Sequence, residues 1–377
     1  MRAFLCAIAL CVLSARLALA QEAPLQPGES ARIPGVPFEE LARRAEEASR
    51  TGQAAEAVRF CRAGLELNPR WTDGWWRLAL LQFDAEHYSD ARDALRRLVS
   101  LESDTGPAWA LLGLSEFKLQ HYEGALADLQ KAVSLGVPQG EAIGREAIHY
   151  LGLLLVRGGQ FAASAATLAR LVQLEPDDPE LVAACGLMAL RKARLPSEIP
   201  ESEKDLVLAA GRATHAALSY RGDEARRLFG ELVTRYPGAR GVHYAYGLFL
   251  SRDASADGLA MLQKEVQLYP DHVEAHLEIA FTILDRGDPK DALLSAQAAA
   301  RLAPEAPSAH LVLGRALVAT GSLDEGLREL EQASRMDPDV RDVHVALAQA
   351  YARAGRTADV ERERAKLFEL EARRGAR

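Results

Sequence analysis

Apolar residues recur along this chain with the period of a helix rather than a strand. In the stretch AHLEIAFTILDRGDPKDALLSAQAAARLAP, Leu277, Ala280, Phe281 and Leu284 fall at i, i+3, i+4 and i+7, which places them on one helical face. Gly287-Asp288 interrupts the pattern, and Pro289 opens the next apolar run at a first-turn position, where its missing N–H does no harm. Leu302 and Pro304 close that run. The same helix–turn–helix reading repeats along most of the chain, in a composition rich in Ala, Leu, Glu and Arg that favours helix.

The units recur at a fixed distance. Trp75-x-x-Leu78-Ala79 followed by Ala91-x-x-x-Leu95 returns 34 residues later as Trp109-Ala-Leu-Leu112-Gly113 followed by Ala125-x-x-x-Leu129. Pro237, Pro270, Pro304 and Pro338 give a second ruler, spaced 33, 34 and 34 residues apart. In this register one position is always small: Ala45, Ala79, Gly113, Gly152, Gly186, Ala213, Gly247, Ala280, Gly314 and Ala348. A second is small at Ala57, Ala91, Ala125, Ser164, Ala225, Gly258, Ala292 and Gly326, and fails at Val360. Two helices approach closely only where neither side chain holds them apart. Over residues 36–372 the pattern resembles the tetratricopeptide repeat family. The resemblance implies an all-α fold, an α-solenoid whose roughly ten helix–turn–helix units wind into a right-handed superhelix.

Two places break the period. Five extra residues around 136–140 lengthen one loop, and the segment 191–204 carries Pro196, Pro200 and a charge cluster. Residues 180–190 and 205–220 both read as first helices, so one second helix is missing or remodelled between them. The reading is an N-terminal array over 36–190, an irregular joint over 191–204 and a C-terminal array over 205–372. Residues 357–374 are charged on one face, as a terminal capping helix requires, and 373–377 form a solvated tail.

The first twenty residues read as a secretory signal, with Arg2, an apolar run from Phe4 to Leu13, and Ala18-Leu19-Ala20 as a cleavage site. Arg16 cuts the apolar run short of a bilayer span. The expectation is a periplasmic or secreted protein beginning at Gln21, with a Pro/Gly-rich disordered linker over 21–35. Two of the 45 basic residues lie in the signal, leaving 43 against 53 acids and a net charge of −10. That balance argues against nucleic-acid binding, which needs clustered cations. Of the four cysteines only Cys61 and Cys185 remain after processing, each among apolar neighbours, and both read as buried free thiols.

The search for chemistry returns little. His243, His276, His310 and His344 form a ladder at or near the position where the family has Trp. Helical layers stand roughly 8–10 Å apart, so several rungs cannot converge on one metal ion. Packing, with a hydrogen-bonded ring tip, is the expectation. His272-Val-Glu274-Ala-His276 misplaces the Glu of a zinc helix, and Ser115-x-x-Lys118 lacks its companion boxes. No metal, cofactor or catalytic residue is expected. An enzyme with a site in the 191–204 irregularity is the remote alternative.

The resemblance implies a non-catalytic scaffold that holds a protein or extended peptide in a concave groove lined by first helices. Carried onto this chain, the groove positions give Trp76, Leu80 and Phe83 in the second unit, with Leu114, Phe117 and Lys118 in the third. His149 and Leu153 follow in the fourth. The paired Lys, Arg and Asn pattern that clamps a peptide's terminal carboxylate in some members is missing. A second reading is an assembly subunit of an envelope complex (cytochrome maturation, polysaccharide export or secretion), associated with membrane proteins. Partner identity and oligomeric state stay open.

Overall fold

The computed structural model describes residues 33–137, 142–174, 178–251 and 256–375. The expected signal and all but the last residues of the expected linker lie outside the described residues. These form nineteen α-helices and no strand. Contacts divide the chain into two units, residues 1–167 and 168–377. The expected joint at 191–204 falls inside the second.

Unit 1 contains α1 (Phe38–Arg50), α2 (Ala54–Leu67), α3 (Thr72–Asp84), α4 (Tyr88–Leu101), α5 (Gly106–Lys118), α6 (Tyr122–Leu135) and α7 (Ala142–Arg157). The division falls within α8 (Phe161–Leu174). Unit 2 continues with α9 (Pro179–Ala189), α10 (Glu201–Leu218), α11 (Gly222–Arg235), α12 (Val242–Ser251) and α13 (Ala256–Leu268). It ends with α14 (Val273–Asp285), α15 (Pro289–Leu302), α16 (Pro307–Thr320), α17 (Leu323–Met336), α18 (Arg341–Arg353) and α19 (Thr357–Gly375).

Helix α1 shows why these segments are helical. Leu41, Ala45 and Ala48 lie at i, i+4 and i+7 and are its buried residues. On the outer face Arg43 and Arg44 pair with Glu40 at 2.8 and 2.7 Å, the i±3 and i±4 spacing that supports an isolated helix. The expected small positions are almost all buried in the helix seams; Ala348, in the last unit, is half-exposed. At Gly314 a Cβ would stand 2.6 Å from Leu330 Cγ and 2.9 Å from the Gly326 carbonyl.

Each hairpin turn among the described residues places one residue in the left-handed region. Gly52, Gly159, Gly287, Gly321 and Gly355 fill it where glycine is available, and Glu86, Gln120, Arg191 and Tyr220 adopt it without one.

A second recurring device closes the turn ahead of a first helix. Trp75 and Trp109 donate their indole N–H to the Pro69 and Ser103 carbonyls, each at 2.9 Å. His243, His276, His310 and His344 direct Nε2 to the Pro237, Pro270, Pro304 and Pro338 carbonyls at 2.8–3.0 Å. A carbonyl only accepts, so each ring donates from Nε2. The histidine ladder is therefore a set of turn latches, equivalent to the tryptophans.

The stretch 191–204 is irregular but held. In place of a second helix it has one 3-10 turn over Pro196–Glu198, and Leu195 is 2% exposed. Lys192 and Arg194 both reach Glu203, at 2.9 and 3.4 Å. Buried Leu195 and these ion pairs hold the segment despite its two prolines. Without a second helix between them, α9 lies directly on α10. A Cβ on Gly186 would stand 2.0 Å from the Val207 carbonyl oxygen, and one on Gly211 2.0 Å from that of Val182. Two glycines thus permit backbone-to-backbone contact.

Candidate functional site

The best candidate is the first-helix face of unit 1, built from α3, α5 and α7 and the first residues of α4 and α6. Trp76, Leu80, Phe83 and Phe117 pack half-buried against the core that contains Leu78, Leu95, Leu111 and Leu129. Lys118 and His149 are half-buried beside them. Leu114 and Leu153, expected on the groove face, are fully buried, at 0% exposure each. Neither reaches a partner there. The first helices α5 and α7 pack on one another, and Leu114 belongs to the core cluster with Leu111, Leu129 and Leu154.

The structure adds Tyr88, Tyr122, Tyr150 and Glu146, which the sequence reading missed, and brings in Arg157 at a groove position of the fourth unit. Phe83 meets Tyr88 edge-on with centroids 5.3 Å apart, and Phe117 meets Tyr122 the same way at 5.4 Å. Phe117 also lies 4.2 Å from Tyr150, whose ring is 5.5 Å from His149. The Arg157 guanidinium stands over Tyr122 at 4.3 Å. Lys118 Nζ donates to Tyr150 Oη at 3.0 Å and lies 3.9 Å from a Glu146 carboxylate oxygen. A signal for two of these was present: FDAEHY and FKLQHY repeat 34 residues apart and carry Phe83/Tyr88 and Phe117/Tyr122. Tyr150 and Glu146 have no such repeat.

Burial pulls the Lys118 ammonium down, but the Tyr150 hydrogen bond and the charges of Tyr150, Glu146 and Tyr88 outweigh it, so its pKa lies above the ordinary lysine value. Burial, then the Glu86 charge, lifts the Tyr88 phenol. The face therefore holds a cation among aromatic rings.

Behind the face Glu116 is 3% exposed and accepts from Arg96 at 2.7 Å, with His121 Nδ1 at 2.7 Å from its other oxygen. Asp128 close by has its pKa pushed up to about 6 by burial and then by the Glu116 charge. Cys61 and Cys185 are buried free thiols, each pushed up to about 12 by burial.

Family models described as tetratricopeptide repeat match residues 76–139, which carry most of this face, and residues 283–339. The chain is a tetratricopeptide-repeat protein. Among curated proteins, none matches this repeat protein. Similar solved structures include the MamA RS-1 ArsTM double mutant, 20% identical with a TM-score of 0.42, covering 45% of this chain and 96% of its own. MamA residues 41 to the end from Desulfovibrio magneticus RS-1 is 21% identical with a TM-score of 0.41, covering 44% of this chain and 95% of its own.

Proposed function

We propose that this repeat protein is a non-catalytic scaffold that holds a protein partner, or an extended segment of one, against the aromatic face of unit 1, outside the cytoplasm. One observation carries the reading. Trp76, Leu80, Phe83 and Phe117 stay half-open to solvent, joined to three tyrosines, on a face that repeat hairpins present to partners. Aromatic anchors with polar tips concentrate binding energy. The extracellular part rests on the order of charged, apolar and small residues over 1–20.

Site-specific photo-cross-linking in the native envelope fraction tests it. A benzoyl-phenylalanine in place of Leu80 is expected to trap a discrete partner, and one in place of Tyr220, 87% exposed in unit 2, is not. Against that partner Phe83→Ala is expected to weaken binding by about 1–3 kcal/mol. Identical products from both positions refute the reading. Intact mass from native extract is expected to start at Gln21; a chain starting at Met1 refutes export.

A further inference from the structure

Around Lys118 two helices bring hydrogen-bond donors together, and a third carries Tyr88. Lys118 closes α5, Tyr150 lies in α7, and Tyr88 opens α4. An ammonium carries three N–H donors. Tyr150 Oη takes one at 3.0 Å, and Glu146 at 3.9 Å is a Coulombic partner beyond hydrogen-bond reach. The Tyr150 hydroxyl accepts from Lys118, which leaves its own proton to give. The Tyr88 hydroxyl makes no hydrogen bond among the described residues, and the Glu86 charge acts on it, followed by those of Lys118, Glu146 and Tyr150. The floor beneath is aromatic, with Phe117 4.2 Å from Tyr150 and Phe83 5.3 Å from Tyr88.

A set of donors around one fixed positive charge, on an apolar floor, suits an anionic oxygen acceptor. We propose that Lys118, Tyr150 and Tyr88 receive the side-chain carboxylate of an internal Asp or Glu in the partner's extended segment, with apolar neighbours of that residue on Phe83 and Phe117. This rests on the reading of the face as a partner site and names the partner's chemistry. Aromatic pairs recur in successive hairpins, Phe83 with Tyr88 and Phe117 with Tyr122, so the segment runs across both rather than ending at Lys118. Two acids stand nearby, Glu86 acting on Tyr88 and Glu146 beside Lys118, and among the described residues only Glu146 pairs with the ammonium. Its side chain is 40% exposed and its pair with Lys118 is a weak surface contact, so it yields to an incoming carboxylate. It also disfavours acids that bring no apolar neighbours.

The probe is a phage library of random dodecapeptides displayed between fixed flanks, panned against the full chain. Selected sequences are expected to carry Asp or Glu beside an apolar residue. Lys118→Met is expected to abolish that enrichment and to weaken selected peptides about tenfold, the scale of a lost charge-assisted hydrogen bond. Glu146→Gln is expected to tighten them about threefold, the scale of a surface ion pair removed. Tyr150→Phe, which keeps the ring and removes one donor, gives the same direction should Lys118→Met melt early. Selection without acids, or the same acids on Lys118→Met, overturns this inference and leaves the partner face standing. Acid dependence that appears only when the peptide's own C-terminus is free also overturns it. If no peptide is selected, or selection survives Phe83→Ala and Phe117→Ala unchanged, the face itself is wrong.

Discussion

Helices α3 and α10 occupy the same place in the repeat and treat it oppositely. In α3 of unit 1 the face carries Trp76, Leu80 and Phe83, all half-exposed. The corresponding residues of α10 in unit 2 are Ala210, Thr214 and Ala217, at 0%, 8% and 9% exposure. The difference accompanies the missing second helix. With nothing between them, α9 settles on α10, Gly186 against the Val207 carbonyl and Gly211 against that of Val182. A repeat face lined with aromatics can stay open to a partner; one lined with alanine and glycine is already occupied.

Carboxylates placed on the two faces give the largest expected separation. Ala210→Glu buries an unpaired charge and is expected to cost about 3–5 kcal/mol, whereas Leu80→Glu at the half-open position should cost about 1 kcal/mol. Equal losses by urea denaturation would erase the distinction between open and closed faces. The glycine seam sharpens it. Gly211→Ala drives a Cβ to 2.0 Å from a backbone oxygen and is expected to lose about 3 kcal/mol by overpacking. Gly230→Ala, with nothing within 4 Å of its Cβ, should gain about 0.5–1 kcal/mol from helix propensity.

The units also latch their turns with different chemistry, indole in one and imidazole in the other. Trp109→Phe and His243→Phe each remove the N–H that satisfies a turn carbonyl. Each is expected to lower stability by about 1 kcal/mol, read as a shift in urea midpoint. A loss at only one of the two would break the equivalence of the latches.

One carboxylate in each unit responds to pH, and the two do so in opposite senses. Glu265 in unit 2 is fully buried and accepts from the Gly241 and Tyr244 amides at 2.7 and 3.2 Å, with His272 Nδ1 at 2.8 Å. Burial pushes its pKa up, yet the His272 and backbone hydrogen bonds outweigh this and hold it below the ordinary value of 4.5. Its contribution is present above 4.5 and is lost as pH falls through the lowered folded value. Asp128 in unit 1 is raised from 3.8 to about 6, so the stability of its protonated form is full below 3.8 and lost as pH rises through 6. Asp128→Asn is therefore expected to gain about 1 kcal/mol at pH 7, reduced for its partial exposure, and nothing at pH 4. A gain independent of pH would assign the effect to packing instead.

The smallest effect concerns the turns. Glu86→Gly and Gln120→Gly relieve left-handed backbone at φ 63° and should each add about 0.5 kcal/mol. Gly355→Ala, at the matching turn with φ 72°, should lose about 1 kcal/mol. Calorimetric melting resolves both signs.

The repeat itself was legible in the chain. Helical spacing of apolar residues, small residues every 34 positions and prolines on the same ruler are local or periodic signals, and the hairpins and seams follow from them. The histidine ladder was legible for the same reason, since a position that packs and caps a turn accepts either indole or imidazole. The register also named Trp76, Leu80, Phe83, Phe117 and Lys118 on the candidate face. It could not say that Leu114 and Leu153 are buried, because exposure of a first-helix residue depends on how closely the next first helix approaches. Nor could it bring Tyr150 and Glu146 to Lys118, some thirty residues away, because that meeting is set by the packing of α5 on α7. The descent of α9 onto α10 was likewise a tertiary outcome. The sequence marked a missing helix there, but the close approach of Gly186 and Gly211 decided which surface would fill the gap.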